Sequence, residues 1–135
     1  MQLVSVDQAL LGTLIGANLG YEIAHENLPF TPTTGTPYIE PIVVINDATP
    51  FDFEVTSYIT DGVFRVIIRV PLDMGAIDAK VMADTISGIF PTGQNITFNH
   101  GVFAIKSIQR NPGIAEDGWY KIILTMALSI FIRNT

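Results

Sequence analysis

The chain has 135 residues, 48% of them apolar and 15% charged, with 11 Gly, 8 Pro, no Cys and a formal net charge of −6. That length fits one domain spanning residues 1–135, and the 8 Phe, 4 Tyr and single Trp exclude a chain too polar to fold. The absence of cysteine excludes a disulfide scaffold, thiolate metal sites and a Cys nucleophile, and the acidity argues against a protein that grips nucleic-acid phosphates.

Met1 to Gly20 is apolar but lacks a basic leading segment, and Asp7 interrupts it, so a secretory signal is not expected. Ser5 followed by Gln8 has the form of a capping box. Val6, Ala9, Leu10, Thr13, Leu14 and Ala17 then recur at helical spacing, predicting a first helix from about Val6 to Ala17. Gly12, Gly16 and Gly20 repeat every four residues. A helix with small residues on one side and a glycine stop is preferred to a close backbone contact.

Leu28 to Pro37 is rich in Pro, Thr and Gly, and reads as an extended arm or long loop. Tyr38 to Ile45 is a predicted strand, and its run Ile42-Val43-Val44-Ile45 is apolar on both faces, as in a covered strand. Residues 46–50 carry turn chemistry, and Phe51 to Tyr58 mixes aromatic and acidic residues, predicting an outer strand or flap. After a turn at Thr60-Asp61-Gly62, Val63 to Val70 alternates: Phe64, Val66, Ile68 and Val70 share one face, Arg65 and Arg69 the other.

A second helix is predicted from about Ala76 to Phe90, with Ala79, Met82, Ala83, Ile86 and Phe90 on one side and Pro91 and Gly93 after it. Ile96 to Phe98 and Val102 to Ile108 form a hairpin across Asn99-His100-Gly101, where Gly101 supplies positive φ. Asn111 to Gly118 is a polar loop. The final stretch alternates strictly: Tyr120, Ile122, Leu124, Met126, Leu128, Ile130 and Ile132 are all large and apolar. It falls short of the ~20 residues of a membrane-spanning helix and reads as a long strand with one buried face. At ~3.3 Å per residue this strand spans roughly 45 Å, so its ends are expected to outrun their own sheet. The fold class is α+β: a mixed, mostly antiparallel sheet with two main helices packed on it and a long C-terminal strand.

No catalytic, cofactor-binding or metal-binding set is predicted. His25 and Glu26 are adjacent and point apart, His100 sits in a turn, and no nucleophile elbow, phosphate loop or paired-histidine motif occurs. Arg65 and Arg69 share a strand face that also carries Val63 and Ile67. An anionic partner surface and a pair of solvated or salt-bridged arginines are equally compatible with that pattern.

The order of landmarks carries more than any one of them. His25-Glu26-Asn27 is followed by Phe30, Pro32 and Tyr38-Ile39; Gly62 opens a strand that ends at Pro71; Gly75 leads into the helix Ala79 to Phe90. Pro91 and Gly93 follow it, and Gly118-Trp119-Tyr120 opens the terminal strand. In this order they resemble the tail terminator, or tail completion, proteins of tailed bacteriophages, the family similar to the phage lambda terminator. The resemblance covers most of the chain and is best from Gly62 onward. It departs at Arg65, where relatives often carry a polar residue, and in the low acidity of the second helix, which leaves partner specificity open.

The resemblance implies a non-enzymatic virion protein whose protomers close into a ring, six copies in expectation. The ring caps the tail tube and ends its growth at the head-proximal end of the tail, after assembly in the host cytoplasm. Its partners would be further copies of itself, the major tail tube protein and the head-tail connector protein. DNA would pass through without sequence-specific binding, and no cofactor or membrane is involved. The expected interface residues are Phe30 in the arm, Phe51, Phe53 and Tyr58 in the flap, Arg65 and Arg69, and Trp119 and Phe131 in the last strand. The rival readings are another phage morphogenesis protein, such as a tail tube or head-closure subunit, and a small hydrolase or ligand-binding domain with a deep polar pocket.

Overall fold

The computed structural model of the chain describes residues 4–17, 19–26, 28–33, 35–46, 49–50, 57–98 and 101–133, the side chains at 4, 5, 49, 50 and 133 excepted. Helix α1 (Val4–Gly16) leads into strands β1 (Glu22–Ile23), β2 (Tyr38–Ile45), β3 (Thr49–Pro50) and β4 (Ser57–Pro71). A single 3₁₀ turn (Leu72–Met74) precedes helix α2 (Ala76–Ile89), followed by β5 (Asn95–Phe98), β6 (Gly101–Arg110), β7 (Ile114–Glu116) and β8 (Trp119–Arg133). All eight strands share one sheet, in the order β1-β2-β4-β8-β6-β5, with β3 on β4 and β7 on β8. Only the β1–β2 pair is parallel.

Both helices lie on one side of this sheet, because only that side offers them a continuous apolar floor. Val6, Leu10 and Leu14 descend from α1 at i, i+4, i+8, and Ala79, Met82, Ala83 and Ile86 from α2. Beneath them the alternation of β4 presents Phe64, Val66, Ile68 and Val70, and that of β8 presents Ile122 through Ile132 at every second position. Phe90 closes the layer with an edge contact to Phe64 at 5.4 Å between ring centroids. Each of these large side chains, fully buried, contributes about 1.5–3 kcal/mol, so the two central strands dominate the stability of the fold.

The strands differ from their predicted limits where pairing overrides local propensity. β4 begins at Ser57, so Thr60-Asp61-Gly62 is extended strand and not a turn. Gly62 pairs with Ile45 on one side and Leu128 on the other, and the Thr60 hydroxyl donates to the Asn46 carbonyl at 2.7 Å. β8 does not outrun its sheet. All its residues pair with β4, from Trp119↔Pro71 to Arg133↔Ser57, and its other edge is taken by β7 and β6. Between those two neighbours Asn111 clamps β8, its side-chain oxygen accepting from the Ile123 N–H at 2.7 Å.

The loop predicted from Asn111 to Gly118 contains β7, folded onto β8 through Asp117 and Gly118. Both take positive φ, at 54° and 84°, as a two-residue hairpin turn requires. Gly101 has no positive φ; it is the first residue of β6 and is needed for a different reason, since a side chain there would run into the carbonyl of Phe131. The hairpin tip at 99–100 lies outside the described residues. Helix α1 begins at Val4, which puts Ser5 inside the first turn and not ahead of it.

Candidate functional site: the uncovered face of the sheet

The side of the sheet away from the helices has no second layer among the described residues. Cross-strand register lays its side chains out in rows. Tyr38, Arg69, Lys121 and Ile114 form one row, and Glu40, Ile67 and Ile123 the next. Then come Ile42, Arg65, Thr125 and Gln109, followed by Val44, Val63, Ala127 and Ser107. Beyond Asp61 and Ser129, a last row holds Ile59, Phe131 and Val102. The face is therefore apolar in large part, with cations set into it. Val44 is 53% exposed and Ile59 44%. The expectation that Ile42 to Ile45 is covered on both faces does not hold within the protomer.

β2 makes this possible. β1 pairs only with Tyr38 and Ile39, so beyond them β2 is an edge of the sheet. That is why Pro41, which cannot donate a ladder hydrogen bond, is tolerated there.

Of the expected interface residues, three gather at one end of this face, Arg69 and Trp119 through register and Phe30 through the arm. Arg69 bonds Glu40 Oε1 at 2.7 Å and lies over the Tyr38 ring, 5.5 Å from its centroid. Burial works against its charge, but the Glu40 hydrogen bond, with Tyr38, outweighs it, so the guanidinium holds its proton more firmly than a free arginine. Trp119 meets Tyr38 edge-on at 5.1 Å, and Phe30 packs on Tyr38 at 4.9 Å. The arm thus folds back over its own sheet, and the Thr33 hydroxyl pins it by donating to Glu22 at 2.9 Å.

Arg65 stands exposed two rows away and makes no ion pair among the described residues. Phe131 lies half-buried in the last row, ten residues or roughly 33 Å from the Arg69 row. Tyr58 alternates onto the helix side, opposite Ile132. Phe51 and Phe53 lie outside the described residues.

Sequence reasoning missed Tyr38 and Glu40, around which the first group gathers. The period of two in β2 already placed both on the face of Ile42 and Val44, but the offset that sets Glu40 beside Arg69 is a property of strand pairing.

Two further cations on this face, Lys106 and Lys121, are paired. The register of β6 and β8 shifts between Ile105 and Ser107, and Lys106, inside that irregularity, reaches Asp61 at 3.2 Å; Lys121 bonds Glu116 at 3.0 Å. Among the described residues no group of three or more His, Asp or Glu could hold a metal ion, and no helix is long and apolar enough to cross a membrane. What this face offers chemically is packing surface and fixed charge.

A family model described as phage tail terminator protein matches residues 5–127. The chain belongs to the phage tail terminator family. It is accordingly a structural protein of the phage tail and a component of the virion. A solved structure superposes on this terminator with a TM-score of 0.67 at 18% identity, covering 91% of this chain and 94% of the other, a likeness of fold. No curated protein matches the sequence.

Proposed function

We propose that this tail terminator acts through assembly: six copies close into a ring that caps the tail tube, stops its growth and offers a docking surface to the head-side connector. The observation that carries this is the uncovered sheet face. A soluble monomer seldom leaves a row-by-row apolar surface of this kind open to water, and a protein whose task is to join others needs one. A ring requires two different surfaces of each protomer to meet in a rotation that closes. Phe30, Arg65, Arg69, Trp119 and Phe131 lie on or beside the uncovered face, Tyr58 on the other, so candidates exist on both sides of the sheet.

The acidity fits a conduit. Six copies at −6 each carry −36, and a wall that repels phosphates lets DNA pass where a basic wall would hold it. The ring would sit at the head-proximal end of the tail, assembled in the host cytoplasm between the major tail tube protein and the connector.

Deleting the gene tests the reading. Unjoined heads and tails with overlong tubes are expected, and normal infectious particles would refute it. Mass in solution, with and without tail tubes, shows whether the ring needs its template.

A further inference from the structure

A cleft of about 440 Å³ opens at the arm end of the uncovered face, lined by Phe30, Tyr38, Trp119, Glu40, Glu116, Asp117 and Arg69, with Ala24, Leu28 and Pro32 behind them. One cation already sits in it. Arg69 has the Tyr38 ring beneath its guanidinium and the Glu40 carboxylate at its edge, the two contacts that hold a planar cation against a protein.

The other half of the cleft presents the same two chemistries on different residues. Trp119 and Phe30 are half-buried and supply aromatic surface; Glu116 and Asp117, at the β7–β8 turn, supply carboxylates. Glu116 shares its charge with Lys121, which does not line the cleft, and Asp117 has no ion pair among the described residues. The lining carries three carboxylates, Glu40, Glu116 and Asp117; Arg69 offsets Glu40 and Lys121 offsets Glu116, which leaves an excess of one negative charge, that of Asp117.

That excess decides between ligand classes. An anion is repelled, and an apolar group seated on Trp119 strips water from the carboxylates with nothing in return. A guanidinium satisfies both surfaces at once, stacking on the indole while its N–H groups meet the carboxylates.

We propose that this cleft receives an arginine side chain of a partner protein, stacked on Trp119 and hydrogen-bonded to Asp117 and Glu116. The site belongs to one protomer and does not depend on ring closure.

Trp119 is the single tryptophan of the chain, so its indole N–H resonance reports on the cleft alone. The full-length protein is titrated with N-acetyl-arginine amide, and with the citrulline and lysine counterparts. A saturable shift of the indole resonance by the arginine probe is expected, with binding at least tenfold weaker for citrulline and clearly weaker for lysine. Asp117→Asn should weaken the arginine probe about tenfold. Asn accepts the positive φ of that position, and a proton spectrum unchanged elsewhere confirms that the variant folds. Equal shifts from citrulline, or unaltered binding in Asp117→Asn, would overturn the site; equal binding of lysine would overturn the guanidinium assignment. Oligomer mass is measured on a parallel sample with tail tubes supplied as template, so rings without arginine binding count against the cleft and arginine binding without rings counts against the assembly.

Discussion

A methyl group added at Gly101 collides with the Phe131 carbonyl, whereas one added at Gly12 meets nothing within 4 Å. The first glycine lets β6 approach β8 closely, and the second is an exposed residue of α1 with no packing duty in the protomer. Gly101→Ala should therefore destabilise by about 2–3 kcal/mol, because backbone and not a flexible side chain must give way. Gly12→Ala should stabilise by about 0.5–1 kcal/mol through helix propensity. Urea unfolding of the two variants checks both signs.

Asp7 makes a pH prediction. Burial, and then the charge of Glu26, raise its carboxyl above the ordinary 3.8. The folded chain thus keeps this proton to higher pH than the unfolded chain does. Between the two values the native state binds more protons, so this group's contribution to stability falls as pH rises through the window above 3.8. Asp7→Asn removes the term. Its stability relative to the parent should rise as pH climbs above 3.8, measured by urea unfolding at stepped pH.

At the scale of elements, the two 15-residue strands β4 and β8 carry the molecule. Leu124 is buried in β8 within the core cluster, and its truncation to Ala should cost about 3 kcal/mol, read from the urea midpoint. Ile77, 74% exposed on the outer side of α2, should change stability by less than about 0.5 kcal/mol when cut to Ala. The faces of these elements were legible in sequence. Period two in Val63 to Val70 and in Tyr120 to Ile132, and period 3.6 in Ala79 to Ile86, predict the buried side chains, with Tyr120 half-buried at the edge of the core.

Ends and neighbours were less legible. Thr60-Asp61-Gly62 has turn chemistry, yet hydrogen-bond partners on both sides hold it extended. The polar segment after Asn111 looked like loop because three exposed residues, Ile114, Ala115 and Glu116, show no pattern of burial; β8 alone recruits them. Length misled in the same way. A strand of this reach suggested free ends, but an equally long partner lies beside it.

At the scale of the whole molecule, helices cover one face of the sheet and, among the described residues, leave the other without a second layer. Val44→Glu combined with Ile59→Glu places charge on that face where both side chains are already exposed. The double variant should keep the parent's far-ultraviolet circular dichroism and melt within a few degrees of it, yet sediment as a monomer under conditions where the proposed ring predicts an oligomer for the parent. Rings of undiminished mass would remove this face from the interface. Assembled rings should also leave duplex DNA unshifted on a native gel at about 50 mM salt, where a basic lumen would retard it strongly.

Composition and periodicity by themselves determined the class of this protein: one acidic α+β chain, two helices and strands with a single buried face; the order of landmarks added the resemblance to phage tail terminators. Those properties are local, since a side chain's face follows from its position in a repeat. Only the tertiary structure decided which strand lies beside which, and hence that the last strand is central, that β2 is the edge, and that Phe30, Tyr38, Arg69 and Trp119 meet in one cleft. Pairing is a long-range choice, made by the summed burial of whole faces and the hydrogen-bond demand of whole edges, and no short stretch of sequence carries it.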